Sequence, residues 1–337
     1  MITPLIILST LGLFFGLTLS ISAKKLHVRE DPAVEKVDAV LPQTNCGACG
    51  YAGCAQFAKA VVSGEAPVTG CIAGGNDVAQ AVAEIVGVTA QEMEEYKAVV
   101  QCKGGKDRSV ERAVYDGLPD CNAAELVAHG SKECLYGCFG LGSCVKACEF
   151  EAITITDTGI AYIDPDKCTG CEACVSTCPR SIIMMMPKSR NIFIACNNKD
   201  RGGRVKKYCS VGCTACTLCV KAVEIPGSAV MKDNLPRLDY TTEENFLTSA
   251  YKCPSNCFSD HIQSRPKANI STACIGCGEC VRICPVKGAI TGTDQERHIV
   301  HKTKCIGCGR CIKVCPVDAI SMWGSVGIRQ NRSIRGR

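Results

Sequence analysis

Twelve cysteines in three stretches share one spacing. Cys168, Cys171, Cys174 and Cys178 precede Pro179; Cys274, Cys277, Cys280 and Cys284 precede Pro285; Cys305, Cys308, Cys311 and Cys315 precede Pro316. The pattern C-x2-C-x2-C-x3-C-P holds [4Fe–4S] clusters through thiolates. Three close cysteines wrap one cubane, and the fourth ligates the other cluster of a pair. Small residues such as Gly170, Gly276 and Gly307 let the backbone turn tightly and aim N–H groups at sulfur. The proline stops the loop. A zinc ribbon uses two separated pairs, so zinc fits this spacing poorly. The rule places Cys274, Cys277, Cys280 and Cys315 on one cluster, and Cys305, Cys308, Cys311 and Cys284 on its partner.

The other cysteines depart from the pattern in graded ways. In the stretch 134–178 the second half is regular, but Leu141 stands where the first half should carry its second cysteine. Cys134, four residues before Cys138, can replace it. The expected sets are therefore Cys134, Cys138, Cys144 and Cys178 on one cluster, and Cys168, Cys171, Cys174 and Cys148 on the other. Glu149 takes the place of proline after Cys148. The stretch 209–257 reads as a damaged copy. Cys213, Cys216 and Cys219 form a triad, Val223 replaces the fourth cysteine, and no partner triad follows before Cys253-Pro254. Both losses suit a unit that kept one cluster, on Cys213, Cys216, Cys219 and Cys253. Cys209, four residues before Cys213, or Cys257 could replace one of these, and a second cluster using Cys196, Cys209 and Cys257 is an alternative. The first group, Cys46, Cys49, Cys54 and Cys71, lies on a glycine-rich bend that suits one isolated cubane, although spacing alone leaves zinc open. These sets use 24 cysteines for six clusters, within a range of five to seven; seven would need 28 of the 29 present. Cys102 and Cys121 are expected to be buried free thiols.

Short elements must hold such loops. The chain has 337 residues with only 5% aromatics, so each core is thin and metal bonds supply part of the folding free energy. The fold class is α+β: an N-terminal transmembrane helix, a small [4Fe–4S] domain, then tandem ferredoxin-like βαβ modules with pseudo-twofold symmetry. The expected divisions are an anchor at 1–25, a linker at 26–45, a single-cluster domain at 46–130, a two-cluster module at 131–190, a degenerate module at 191–262, a two-cluster module at 263–323 and a basic tail at 324–337. Residues 76–100 suggest a helix, capped by Asn76 and broken near Gly87. Residues 2–23 carry no charge and are long enough for a ~30 Å hydrocarbon core. Lys24, Lys25 and Arg29 follow, which by the positive-inside rule puts the rest of the chain in the cytoplasm, where thiols stay reduced. Residues 265–337 hold 13 Lys/Arg and 4 Asp/Glu, a net of +9, against −4 for the remainder. A basic end suits an acidic partner or a membrane surface.

No dinucleotide-binding glycine motif, P-loop or nucleophile elbow is present, and the five histidines are scattered. His298 and His301 are expected in a solvated loop or strand. The reading is electron transfer, with no bond-making catalytic residue. The anchor, the C-x2-C-x4-C-x16-C group and the ferredoxin repeats together resemble the B subunit of the Rnf electron-transport complex. The run NCGACGYAGC with distal Cys71 is the most specific mark, and the resemblance implies [4Fe–4S] there as well. The chain departs by carrying extra C-terminal repeats. The resemblance implies an inner-membrane complex, single-pass at this chain, that oxidises reduced ferredoxin and reduces NAD+ with Na+ or H+ translocation. Its partners would be the other Rnf subunits, soluble ferredoxin and the membrane, with no nucleic acid. The alternatives are a polyferredoxin-type subunit of another membrane reductase or dehydrogenase, and a colourless zinc-binding interaction protein.

Overall fold

The N-terminal apolar run is helical. In the computed structural model, which describes residues 2–25, 31–262 and 265–326, α1 spans Ile2–Lys25. Its 24 residues extend about 36 Å. Among the described residues no helix is long and apolar enough to cross a membrane. Arg29 and most of the expected basic tail, residues 327–337, lie outside the described residues.

The chain divides into two units, Met1–Glu92 and Met93–Arg337. In the first, the expected linker contains a helix, α2 (Pro32–Val40). Asp31 caps it, accepting from the Ala33 N–H at 2.8 Å, and Pro32 supplies the first turn. Pro42 holds Leu41 extended and ends it. Val34, Val37 and Leu41 then pack with Phe57, Ala58 and Val61 of α3 (Cys54–Val62) and Val82 of α4 (Gly75–Val86). Gly87, at φ 80°, ends α4 in a left-handed cap.

The helix expected to reach residue 100 gives way to a strand, β1 (Tyr96–Val100), in the second unit. There Lys97–Val100 are buried, so the run is covered on both faces. The boundary expected at 130/131 falls instead at 92/93, because β1 supplies the antiparallel partner of the strand that closes the first module. That module continues through α5 (Cys121–Leu126), α6 (Ser143–Lys146), the hairpin of β2 (Ile153–Ile155) and β3 (Ala161–Ile163), α7 (Ala173–Thr177) and β4 (Ile183–Pro187). Tyr96 to Val100 pair with Pro187 to Ile183. Residues 101–133 are thus an insertion between the opening strand and the cysteine loops.

The next module opens with β5 (Ile192–Ile194) and continues through α8 (Gly202–Tyr208). The hairpin of β6 (Ala229–Lys232) and β7 (Leu235–Leu238), then α9 (Leu247–Lys252), follow, and β8 (Phe258–Asp260) pairs back with β5. The last module repeats the plan: β9 (Arg265–Ile270), α10 (Glu279–Ile283), β10 (Ile290–Thr291), β11 (Ile299–Val300), α11 (Arg310–Lys313) and β12 (Ile320–Val326), which pairs with β9. Among the described residues every sheet has two strands.

Candidate metal centres

Each regular cysteine loop enters its helix through a left-handed residue: Glu172 before α7, Gly278 before α10 and Gly309 before α11. Two residues on, Cys174, Cys280 and Cys311 are buried. Glycine within the loop is required by contact: a Cβ on Gly170 would lie 2.6 Å from the Tyr96 carbonyl oxygen of β1, and one on Gly307 2.5 Å from that of Pro266 in β9. The equivalent loops therefore rest on equivalent strands.

The regular quartets come together. Cys148, Cys168, Cys171 and Cys174 line one cavity with Ala98, Ile153 and Ile163. The Ala98 N–H donates to Cys168 Sγ at 3.3 Å. Burial pushes the Cys174 thiol up to about 12, and Cys168, Cys171 and Cys148 add to it. Cys284, Cys305, Cys308 and Cys311 line a matching cavity. Burial likewise takes Cys311 up to about 12, with Cys308 and Cys305 adding. In the facing half of that module burial raises Cys280, beside Cys274 and Cys277, while Cys315 Sγ accepts from the Ala319 N–H at 3.2 Å. His298, expected in solvent, is instead buried, its Nδ1 3.9 Å from Cys274 Sγ.

In the N-terminal unit Cys46, Cys49, Cys54 and Cys71 line a single cavity with Leu41, Pro42 and Phe57. Asn45 Oδ1 accepts from the Cys54 N–H at 2.9 Å and fixes the bend. Burial raises the Cys71 thiol, and Cys54, Cys49 and Cys46 raise it further.

Two expectations need correction. Cys134 does not join Cys138, Cys144 and Cys178; it lines a separate cavity with Cys102, Cys196 and Cys209. Cys121, expected to be an unattached thiol, approaches Cys144 instead. Burial drives Cys144 up to about 12, and the neighbours that add to this are Cys138, Cys121 and Cys178 ahead of Cys174. The physical link is Asp120, which caps α5 through the N–H groups of Asn122 and Ala123. It also accepts from the Ser143 hydroxyl at 2.8 Å, and Ser143 Oγ accepts from the Cys121 N–H at 2.7 Å. The cap thus fastens Cys121 to the loop of Cys144.

The damaged module holds one triad. Burial raises Cys219 to about 12, with Cys213, Cys253 and Cys216 adding. Its second half has the left-handed entry residue, Phe246 at φ 53°, but Thr248 occupies the buried position that carries cysteine elsewhere. Phe246, Leu247 and Leu235 fill that core. Cys257, buried beside Cys253 (Sγ–Sγ 3.4 Å), hydrogen-bonds both Cys213 and Cys253 and keeps its proton. That bond draws Cys253 down to about 6. Cys257→Ala should leave the iron content unchanged and lower this centre's reduction potential, since hydrogen bonds to sulfur tune it. Cys253→Ala should remove about four iron per chain. Iron analysis with a redox titration checks both; equal iron loss in the two variants would refute the distinction.

Four of these cysteine groups, those of Cys46, Cys102, Cys148 and Cys284, line cavities. Among the described residues no three or more His, Cys, Asp or Glu side chains converge closely enough for a single metal ion. A void edged by four sulfurs, with N–H groups aimed at them, fits a cubane whose corners each take one thiolate.

Known proteins carry the same pattern. Residues 41–73 match the family described as "Putative Fe-S cluster", and residues 133–182 and 268–322 each match a "4Fe-4S dicluster domain". The chain is 39% identical over 262 residues to the B subunit of the Na(+)-translocating ferredoxin:NAD(+) oxidoreductase complex of Acetobacterium woodii, covering 78% of each chain. It is 32% identical over 288 residues to the B subunit of the ion-translocating oxidoreductase complex of Methanosarcina acetivorans, covering 85% of this chain and 97% of that one. It is 38% identical over 210 residues to the B subunit of the proton-translocating ferredoxin:NAD(+) oxidoreductase complex of Clostridium ljungdahlii, covering 62% and 74%. A chain of the formate dehydrogenase–heterodisulfide reductase–formylmethanofuran dehydrogenase complex of Methanospirillum hungatei aligns with a TM-score of 0.23 and 20% identity over 58% of this chain and 78% of that one, too slight a likeness to argue from.

Proposed function

Because the chain belongs to the B-subunit family of the Rnf-type ion-translocating oxidoreductase complexes, we propose that it is the iron–sulfur electron relay of such a complex, carrying electrons from reduced ferredoxin toward NAD+ in a reaction coupled to Na+ or H+ translocation. The observation that carries this reading is the repeated cavity edged by cysteine thiols. Six sets would hold clusters: Cys46, Cys49, Cys54 and Cys71; Cys121, Cys138, Cys144 and Cys178; Cys148, Cys168, Cys171 and Cys174; Cys213, Cys216, Cys219 and Cys253; Cys274, Cys277, Cys280 and Cys315; Cys284, Cys305, Cys308 and Cys311. A bound [4Fe–4S] cluster supplies one-electron transfer at a potential set by hydrogen bonds, charge and exposure. The chain's part is to supply thiolates, aim N–H groups at them and exclude water. The last two modules are held in register by Arg310, which pairs with Glu224 and donates to the Ala222 carbonyl at 3.0 Å, and by Asn245, which donates to the Cys308 carbonyl at 3.4 Å.

On the sequence alone, the uncharged run 2–23 is the membrane anchor in this reading, with Lys24, Lys25 and Arg29 on the cytoplasmic side. Ferredoxin docks on the basic last module, where Lys287, Lys302 and Lys304 are exposed around the loops of Cys284 and Cys305. Reduced-ferredoxin oxidation by the intact complex should fall steeply with salt. Lys287→Glu/Lys304→Glu should raise KM for ferredoxin about tenfold through lost steering. A flat salt response with unchanged KM would remove the docking site. Failure of reduced ferredoxin to bleach this chain's visible absorbance would remove the relay.

A further inference from the structure

The first and second ferredoxin-like modules repeat two cysteines that their own quartets do not use. Cys102 lies two residues beyond the end of β1, and Cys196 two residues beyond the end of β5. Cys134 lies four residues before Cys138, and Cys209 four before Cys213. The fold brings these two pairs face to face. Cys102 and Cys196 form an antiparallel β-bridge, and all four cysteines line one cavity.

The surroundings repeat as well. The Cys138 N–H donates to Cys102 Sγ at 3.4 Å, and the Cys213 N–H donates to Cys196 Sγ at 3.3 Å. Asn198, 2% exposed, donates from Nδ2 to Cys134 Sγ at 3.2 Å. Lys132, also 2% exposed, lines the cavity, and its Nζ donates to the Gly104 carbonyl at 2.7 Å. A buried ammonium is costly without an anion. Four thiolates around a cubane carry net negative charge and supply one.

We propose that Cys102, Cys134, Cys196 and Cys209 hold a further [4Fe–4S] cluster, shared by two modules and placed between the centre of Cys138 and that of Cys213. The proposal rests on reading the other quartets as cluster sites. Its place follows from the two N–H···S bonds, because each joins a sulfur of this site to the backbone of a ligand in the neighbouring one. Lys132 and Asn198 are positioning residues.

Anaerobically purified full-length chain should contain about 28 iron and 28 acid-labile sulfide, and Cys102→Ser/Cys196→Ser and Cys134→Ser should each contain about 24. About 24 in the wild type, unchanged in the variants, would overturn this site and leave the other six standing. One zinc per chain, lost in the variants, would overturn the cluster and keep the cysteine set. Little iron in any form would overturn the cluster reading of the whole chain, this site included. Should the variants not accumulate, spin counting on the fully reduced wild type decides: seven paramagnetic centres support the site and six refute it.

Discussion

Removing iron and sulfide should unfold the second unit outright. Its cores are built around cysteine: Cys138, Cys144, Cys168 and Cys174 pack with Ala98, Val100, Ile153 and Ile182 in one, and Cys213, Cys219 and Cys257 with Leu235, Phe246 and Phe258 in another. Two-stranded sheets are marginal by themselves, and those described here have no third strand. Without metal, Cys144, Cys174 and Cys219, pushed up to about 12 by burial, hold their protons, and the cysteines edge voids that cost stability as any core cavity does. Structural zinc contributes roughly 10–16 kcal/mol to small domains, whereas whole domains are stable by only about 5–15 kcal/mol. Losing even one cubane of comparable worth exceeds the margin. Oxidative stripping followed by chelation should therefore abolish the cooperative thermal transition and expose the backbone amides of β1 and β4 to exchange. Retained protection in those strands would show a core that stands without metal.

Arg180→Ala should come next in effect. The guanidinium is 3% exposed and lies over Phe139 at 3.7 Å. It donates to the carbonyls of Cys134 (2.9 Å), Gly137 (2.8 Å) and His129 (2.6 Å), and pairs with Glu125 at 2.9 Å. It thereby ties the insertion to the loop that separates Cys134 from Cys138. Truncation leaves the His129 and Gly137 carbonyls unpaired, while that of Cys134 keeps the Gly137 N–H; at about 1–3 kcal/mol for each unpaired carbonyl the loss is several kcal/mol. The variant should melt lower and lose about four iron from the Cys138 centre faster in air. Arg180→Lys should recover little, since an ammonium cannot reproduce the fork. Equal melting temperatures for wild type and Arg180→Ala, or full recovery by lysine, would contradict this.

How much could be read from the chain depended on distance along it. Cys168 to Cys178 and Cys274 to Cys315 lie in short loops whose repeated spacing is visible in the chain, and the dicluster-domain matches over 133–182 and 268–322 agree with it. Helix α2 was hidden behind two prolines, although Asp31-Pro32 is itself a helix start. Strand β1 was hidden because Lys97-Ala98-Val99-Val100 follows a helical stretch, and its partner lies beyond residue 182. Cys102, two residues beyond β1, takes its position from that strand. The partners of Cys121 and Cys134 were unreadable for the same reason: they are set by an α5 cap and by strand pairing between modules. One signal was present. Cys134 and Cys209 stand at the same offset before their loops, which marks them as equivalent residues and argues against either being a substitute ligand.

The cavity shared by Cys102, Cys134, Cys196 and Cys209 also has an order in time. Cys102 leaves the ribosome long before Cys209, and the first module's own loops are complete once Cys178 has emerged. Cys102 and Cys134 must then wait as exposed thiols, open to oxidation or to a wrong metal, until β5 and α8 have been made. The clasp between the modules thus closes only after the first module's own loops are complete, and a chain arrested after residue 190 would be left with half of it.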